Sequence, residues 1–181
     1  YVVTEGGFGA DMGLEKFCHI KCRTGGLTPD AAVIVATCRA LKTHGGGPEI
    51  VPGQPLDAAY TTENLEMLEA GCSNLVAQIK VARAFGIPTV IAINAFETDS
   101  ARELALVQQK ALEAGAVAAV PTTLHAHGGS GATELADAVM MACQEPSQFE
   151  YLYDLDSSAE QKMNAIVKEV YGGDGVELSE L

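Results

Sequence analysis

Arg39, Lys42 and His44 sit close together in CRALKTHGGG, the stretch from Cys38 to Gly47 that ends in three glycines. Arginine binds phosphate or carboxylate through a two-pronged fork, and lysine does so as a point charge. A glycine run lets a ligand approach the backbone. The chemistry of such a set is anion binding; the plainer alternative is a pair of solvated surface cations with a histidine that only hydrogen-bonds. A second set lies in EGGFGADMGLEKF, with Glu5, Gly6, Gly7, Phe8 and Asp11 ahead of a helix. Its amides could hold an anion at the helix start, or the segment is an ordinary tight turn with Asp11 as the cap. Glu5 and Asp11 could also ligate magnesium.

Two further stretches carry flat or amide groups. NAFETD puts Asn94 at the end of an apolar run and Phe96 two positions later, and TTLHAHGGSG carries His125. An amide can read the edge of a purine-like ring, and Phe96 with His125 could sandwich one, worth roughly 0.5–1.5 kcal/mol beyond area burial. The alternative is a core phenylalanine and a surface histidine. No Ser-His-Asp set, HExxH or metal-spaced His/Cys cluster occurs, so the sequence offers no nucleophile and no metal site of its own. Five cysteines without a CxxC pair are no disulfide framework, which implies a reducing compartment.

These loops need a frame, and the hydrophobic pattern supplies a parallel α/β sheet with flanking helices. Tyr1 to Thr4 reads as a buried strand, Gly13 to Cys22 as a helix, and AAVIVAT (Ala31 to Thr37) as a strand buried on both faces. A helix is expected from Thr62, its N-cap, to Ala84, then the strand TVIAIN (Thr89 to Asn94). Ser100 to Glu103 forms a capping box for a helix ending at Gly115. The strand AVAAV (Ala116 to Val120), a helix from about Ala132 to Cys143 and a capping box at Ser158 to Gln161 complete the series. All four chemically interesting loops then fall at strand carboxyl ends, where such sheets bind ligands.

A formal charge of −13 argues against a nucleic-acid surface. Residues 1–50 hold five bases against five acids, so the whole excess of acid lies in the remainder and anion binding belongs to the first third. No apolar run reaches membrane-spanning length, and no membrane partner is expected. With 48% hydrophobic residues the chain can bury a real core. The chain opens without Met, inside a strand pattern, and reads as a piece of something longer.

TEGGFGADMGLEKFCHIKCR, VATCRALKTHGGG, ENLEMLEAGCSNL, FGIPTVIAINAFETDS and HGGSG follow one another in an order that resembles the formate–tetrahydrofolate ligases. PGQPLDAAYTTENL and YGGDGVEL look most like the synthetase domain of eukaryotic C1-tetrahydrofolate synthases. The resemblance implies a P-loop NTPase-like fold, incomplete here. It divides the chain into residues 1–50, the end of a nucleotide-binding domain, a connector at 51–61, and a folate-side α/β domain at 62–181.

It also implies an ATP-dependent ligase that uses Mg2+, passes through formyl phosphate and makes 10-formyltetrahydrofolate. In that family the folate ring stacks between a Phe, matched by Phe96, and a Trp whose place His125 takes. The departure at His125 implies weaker or altered folate binding. The family's P-loop and its Lys lie ahead of Tyr1, so the isolated chain is expected to be inactive. The expected partners are small-molecule substrates, the rest of the same polypeptide and further copies in a homo-oligomer, in the cytoplasm or mitochondrial matrix. The competing reading is a non-catalytic, ligase-derived structural or ligand-binding subunit.

Overall fold

The computed structural model describes residues 1–179. Its centre is a three-stranded parallel sheet in the order β1 (Ala32–Ala36), β2 (Thr89–Asn94), β3 (Ala118–Thr122). In register, Ala36 lies beside Ile93 and Asn94 beside Thr122, so the three carboxyl ends are level. Helices α3 (Cys38–His44), α5 (Leu65–Ala84) and α6 (Ala101–Glu113) connect or cover the strands. The expected parallel α/β architecture with flanking helices is what forms. One sheet runs across the 51–61 segment, since β1 precedes it and β2 follows it.

Two apolar clusters hold this frame. Leu41, Leu68, Leu75, Ile79, Ile91, Ile93 and Val107 fill the space between sheet and helices. Val81, Phe85, Ile87 and Val170 pack with Cys18 in a second cluster. That cluster joins the end of α5 to α9 (Ala159–Glu169) and to a helical run near the amino terminus. The run consists of α1 (Gly13–Lys16), a π-helical stretch Phe17–Cys22 and α2 (Arg23–Gly25). It is longer than the expected helix and ends where Gly26 takes a left-handed conformation.

Several expectations are corrected. Tyr1 to Thr4 is not a buried strand: it forms no ladder, and Val2 is 98% exposed. β1 is buried on one face only, with Val33 and Val35 exposed on the other. β3 starts and ends two residues late. Ala116 still returns its N–H to Ala111 as the helix closes. At the far end Pro121 fits an edge strand that needs no outward N–H. The capping boxes at Ser100 and Ser158 both form, and α8 (Thr133–Ala142) falls within its expected bounds.

α5 begins at Leu65 rather than Thr62. Asn64 is its N-cap and accepts from the Met67 N–H, whereas the Thr62 hydroxyl donates back to Ala58 at the start of the short helix α4 (Ala58–Thr61). Asn64→Ala is therefore expected to cost about 1 kcal/mol in urea unfolding, and Thr62→Ala much less. Equal losses would contradict this assignment of the cap.

Candidate functional site

Thr37 follows β1 and caps α3 through its hydroxyl, which accepts from the Ala40 N–H at 3.0 Å. That cap throws Arg39 out over the carboxyl edge of the sheet. Its guanidinium lies 4.7 Å from the centre of the Phe96 ring, within cation–π range. Arg39 Nε is buried and has no hydrogen-bond partner among the described residues. An unpaired buried donor carries a desolvation cost that an anionic or carbonyl group could relieve. Phe96 is held from behind: its N–H donates to Asp99 Oδ2, and its carbonyl accepts from the Asp99 N–H, both at 2.9 Å. Asn94 stands half-buried at the end of β2, level with Thr122.

The loop after β3 closes on itself. Thr122 Oγ1 donates to the Gly131 carbonyl, which also accepts from the Thr123 N–H. His125 is exposed on the short helix α7 (Leu124–His127). The group stacked on Phe96 is the Arg39 guanidinium, and no ring pair forms between Phe96 and His125 among the described residues. His44 lies in the last turn of α3, exposed.

Lys42 does not sit at this surface. Its side chain turns inward and is fully buried, with Nζ 2.7 Å from Glu103 Oε1 and donating to the Thr62 carbonyl at 2.8 Å. The expectation that Lys42 faces an anion is corrected: Glu103 already neutralises it. The glycine run is also used differently from the expected open backbone. An added Cβ on Gly45 would lie 1.8 Å from the Met67 carbonyl oxygen, and one on Gly47 2.5 Å from the Tyr60 hydroxyl. These glycines admit α5 and Tyr60; only Gly46, with φ of 94°, opens onto free space.

The amino-terminal loop is equally occupied. Glu5, Gly6, Gly7 and Phe8 are exposed, and Phe8 has a left-handed φ of 72°. The Ala10 and Asp11 N–H groups donate to Gln78 Oε1 at 2.6 and 3.3 Å, while Met12 and Gly13 donate to the Gly9 carbonyl. The amides of Ala10 to Gly13 thus have partners already. Gln78 borders a shallow depression of about 150 Å³ beside Thr37, Ala40 and His44. Like Asn74 beside it, it is a polar position on a long helix with no sequence signal. Glu103 was visible as the third residue of its capping box, but its partner Lys42 was not.

Burial pushes the Cys38 thiol up to about 12, so the cysteine at the start of α3 is inert as a nucleophile. Among the described residues no group of three or more His, Cys, Asp or Glu is placed to hold a metal ion. Nor is any helix long and apolar enough to cross a membrane. The arrangement at the carboxyl edge is a charged guanidinium over an aromatic ring, with an amide at the adjacent strand end.

Comparison with known proteins agrees with the order of the motifs. The family profile of formate–tetrahydrofolate ligase matches residues 1–181. The chain is 54% identical to the human cytoplasmic C-1-tetrahydrofolate synthase over 178 residues, which are 98% of this chain and 19% of that protein. It is 54% identical to the spinach formate–tetrahydrofolate ligase over 181 residues, 99% of this chain and 28% of that one. The mitochondrial C-1-tetrahydrofolate synthase of Schizosaccharomyces pombe is 51% identical over 183 residues, covering 100% of this chain and 19% of its own. The chain thus spans 19 to 28% of the length of these relatives, and it belongs to the formate–tetrahydrofolate ligase family.

Proposed function

We propose that this chain is the folate-side part of an ATP-dependent ligase that makes 10-formyltetrahydrofolate from formate and tetrahydrofolate by way of formyl phosphate. The observation that carries the reading is Arg39 on the Phe96 ring with its Nε unpartnered. On this reading Arg39 binds the negative charge of the acyl phosphate or of a folate carboxylate. Phe96 supplies one stacking face for the pterin, His125 approaches from the next loop, and Asn94 hydrogen-bonds the ring edge. Such a site works by positioning and by fixed charge rather than by a nucleophile of its own.

ATP and Mg2+ belong to the whole ligase. The residues here do not fit a nucleotide phosphate site: the amides from Ala10 to Gly13 are engaged and Lys42 is neutralised by Glu103. Among the described residues no group of three His, Cys, Asp or Glu includes Glu5 or Asp11, so a magnesium ion there would need water or substrate oxygens as its further ligands. On this reading the phosphate-holding part lies elsewhere in the same polypeptide. The relatives' names place them in cytoplasm and mitochondria, and we assign the same two compartments here, with small-molecule substrates and a homo-oligomeric whole protein.

The test is production of 10-formyltetrahydrofolate by the full-length protein. Product that depends on ATP and formate is expected, with none from residues 1–181 alone. No product from the full-length protein would favour a non-catalytic subunit, and product from the isolated chain would overturn the division of labour. Folate titration of His125→Trp against the parent protein tests the stacking assignment. A wider indole should tighten binding by roughly 0.5–1.5 kcal/mol, and unchanged affinity would remove His125 from the site.

A further inference from the structure

We propose that Glu103 is a positioning residue of this binding edge: through the buried Lys42 ammonium it fixes Arg39 over Phe96. The inference rests on the ligase reading for its kinetic consequences, though not for its geometry. Glu103 is fully buried on α6, and its carboxylate meets three separate pieces of chain. Oε1 takes the Lys42 ammonium at 2.7 Å and the Asn64 N–H at 2.9 Å, while Oε2 takes the Ser100 N–H at 3.1 Å. Burial alone would raise this carboxyl, yet Lys42 and the two amides hold it below the usual carboxylate range. It is an anion inside the protein.

The placement of the pair explains its use. Lys42 follows Arg39 by three residues on α3, so one turn of helix carries both side chains. Ser100 follows Asp99, whose backbone and carboxylate hold Phe96. The ion pair therefore ties α3 to α6 just beyond the loop that carries Phe96. Two apolar side chains would join α3 to α6 as firmly or more so. What directional bonds add is a fixed rotation and height of α3 against the loop that bears Phe96. A misplacement of about 1 Å at such a contact can cost roughly a hundredfold in rate.

The test uses the full-length protein with Glu103→Gln, Lys42→Met and the double variant. Glutamine still serves as third residue of a capping box, so Glu103→Gln can keep the Ser100 bond through its one oxygen while its amide group faces Lys42 and the Asn64 N–H. The double variant removes the stranded ammonium and restores folding if Glu103→Gln alone is unstable. In Glu103→Gln and in the double variant we expect the KM for tetrahydrofolate to rise about tenfold with the KM for ATP little changed. Folate and ATP constants that rise together, or neither moving once corrected for folded fraction, would overturn the proposal.

A readout without turnover is the Arg39 Nε–H resonance, shifted by the Phe96 ring. It should move towards an unstacked position in both variants, and an unmoved resonance would equally overturn the proposal. Wild-type protein that makes no product would refute the ligase reading, and the resonance would then decide this inference alone.

Discussion

Gly71→Ala is expected to be among the most destabilising single-methyl changes in this chain, although alanine is the better helix former. Gly71 lies in the middle of α5, where an exposed glycine-to-alanine change would be worth about 1 kcal/mol in favour of the variant. Here a Cβ would stand 1.7 Å from the Leu41 carbonyl oxygen, 2.6 Å from the Leu41 carbon and 2.9 Å from the Gly45 nitrogen. All three are backbone atoms of the last turn of α3 and its cap, so no side chain can swing away. Relief requires the two helices to part.

Parting them moves Leu41 out of the central core and draws Lys42 from Glu103, so the overpacking penalty of about 1–3 kcal/mol is a lower bound. We expect a loss of about 3 kcal/mol or more in urea unfolding, with Ala77→Gly, on the exposed face of α5, losing only about 1 kcal/mol. A Gly71→Ala variant as stable as the parent would mean that α3 and α5 do not meet backbone to backbone.

That contact also shows why the site was only partly legible in the sequence. The frame follows from local signals: apolar runs of strand length, serine capping boxes three residues from their partners, and glycine at helix ends. Each is set by residues close along the chain: β2, α6 and α9 formed within a few residues of their expected places, whereas α3 formed where a loop was expected. The placement of the segments after β1, β2 and β3 at the carboxyl edge followed from topology, whereas EGGFGAD follows no strand.

What did not follow is which way a side chain turns once helices pack. Arg39 and Lys42 carry the same charge and suggest the same chemistry. One faces an aromatic ring and the other is buried, and the difference lies with Glu103, far along the chain on another helix. The glycines of CRALKTHGGG looked like room for a ligand because the helix that fills that room begins twenty residues later. Tyr1 to Thr4 has a strand's composition, but β-structure needs a neighbouring strand as well as a pattern.

His19 escaped notice for the same reason, and it gives the chain an expected sensitivity to mild acid. It is buried in the π-helical stretch, with Nδ1 2.6 Å from Glu15 Oε1, and its Nε2 accepts the Leu152 N–H at 3.2 Å. Accepting through Nε2 requires the neutral ring with the proton on Nδ1, which then donates to Glu15. The ring stacks on Tyr153 at 4.2 Å and meets the edge of Phe85 at 5.1 Å. Burial lowers its pKa and Arg23 adds to that; the Glu15 carboxylate pulls the other way without reversing it. The same arginine stacks on Tyr151 and bonds the Tyr153 carbonyl.

A second proton on His19 would set N–H against N–H at Leu152 and add a cation beside Arg23. The folded pKa lies below the ordinary histidine value of 6.5. Between the two values the unfolded chain binds more protons, so stability is fully present above 6.5 and falls as the pH drops towards the folded pKa. The limiting slope is about 1.4 kcal/mol per pH unit. Nearby Cys18 and Cys22 are raised by burial and stay neutral throughout this range. Unfolding free energies between pH 5 and 7.5 should fall more steeply for the parent than for His19→Gln, which keeps an acceptor but cannot titrate. Parallel curves would mean that His19 binds its proton equally well folded and unfolded, and that Leu152 does not depend on the neutral ring.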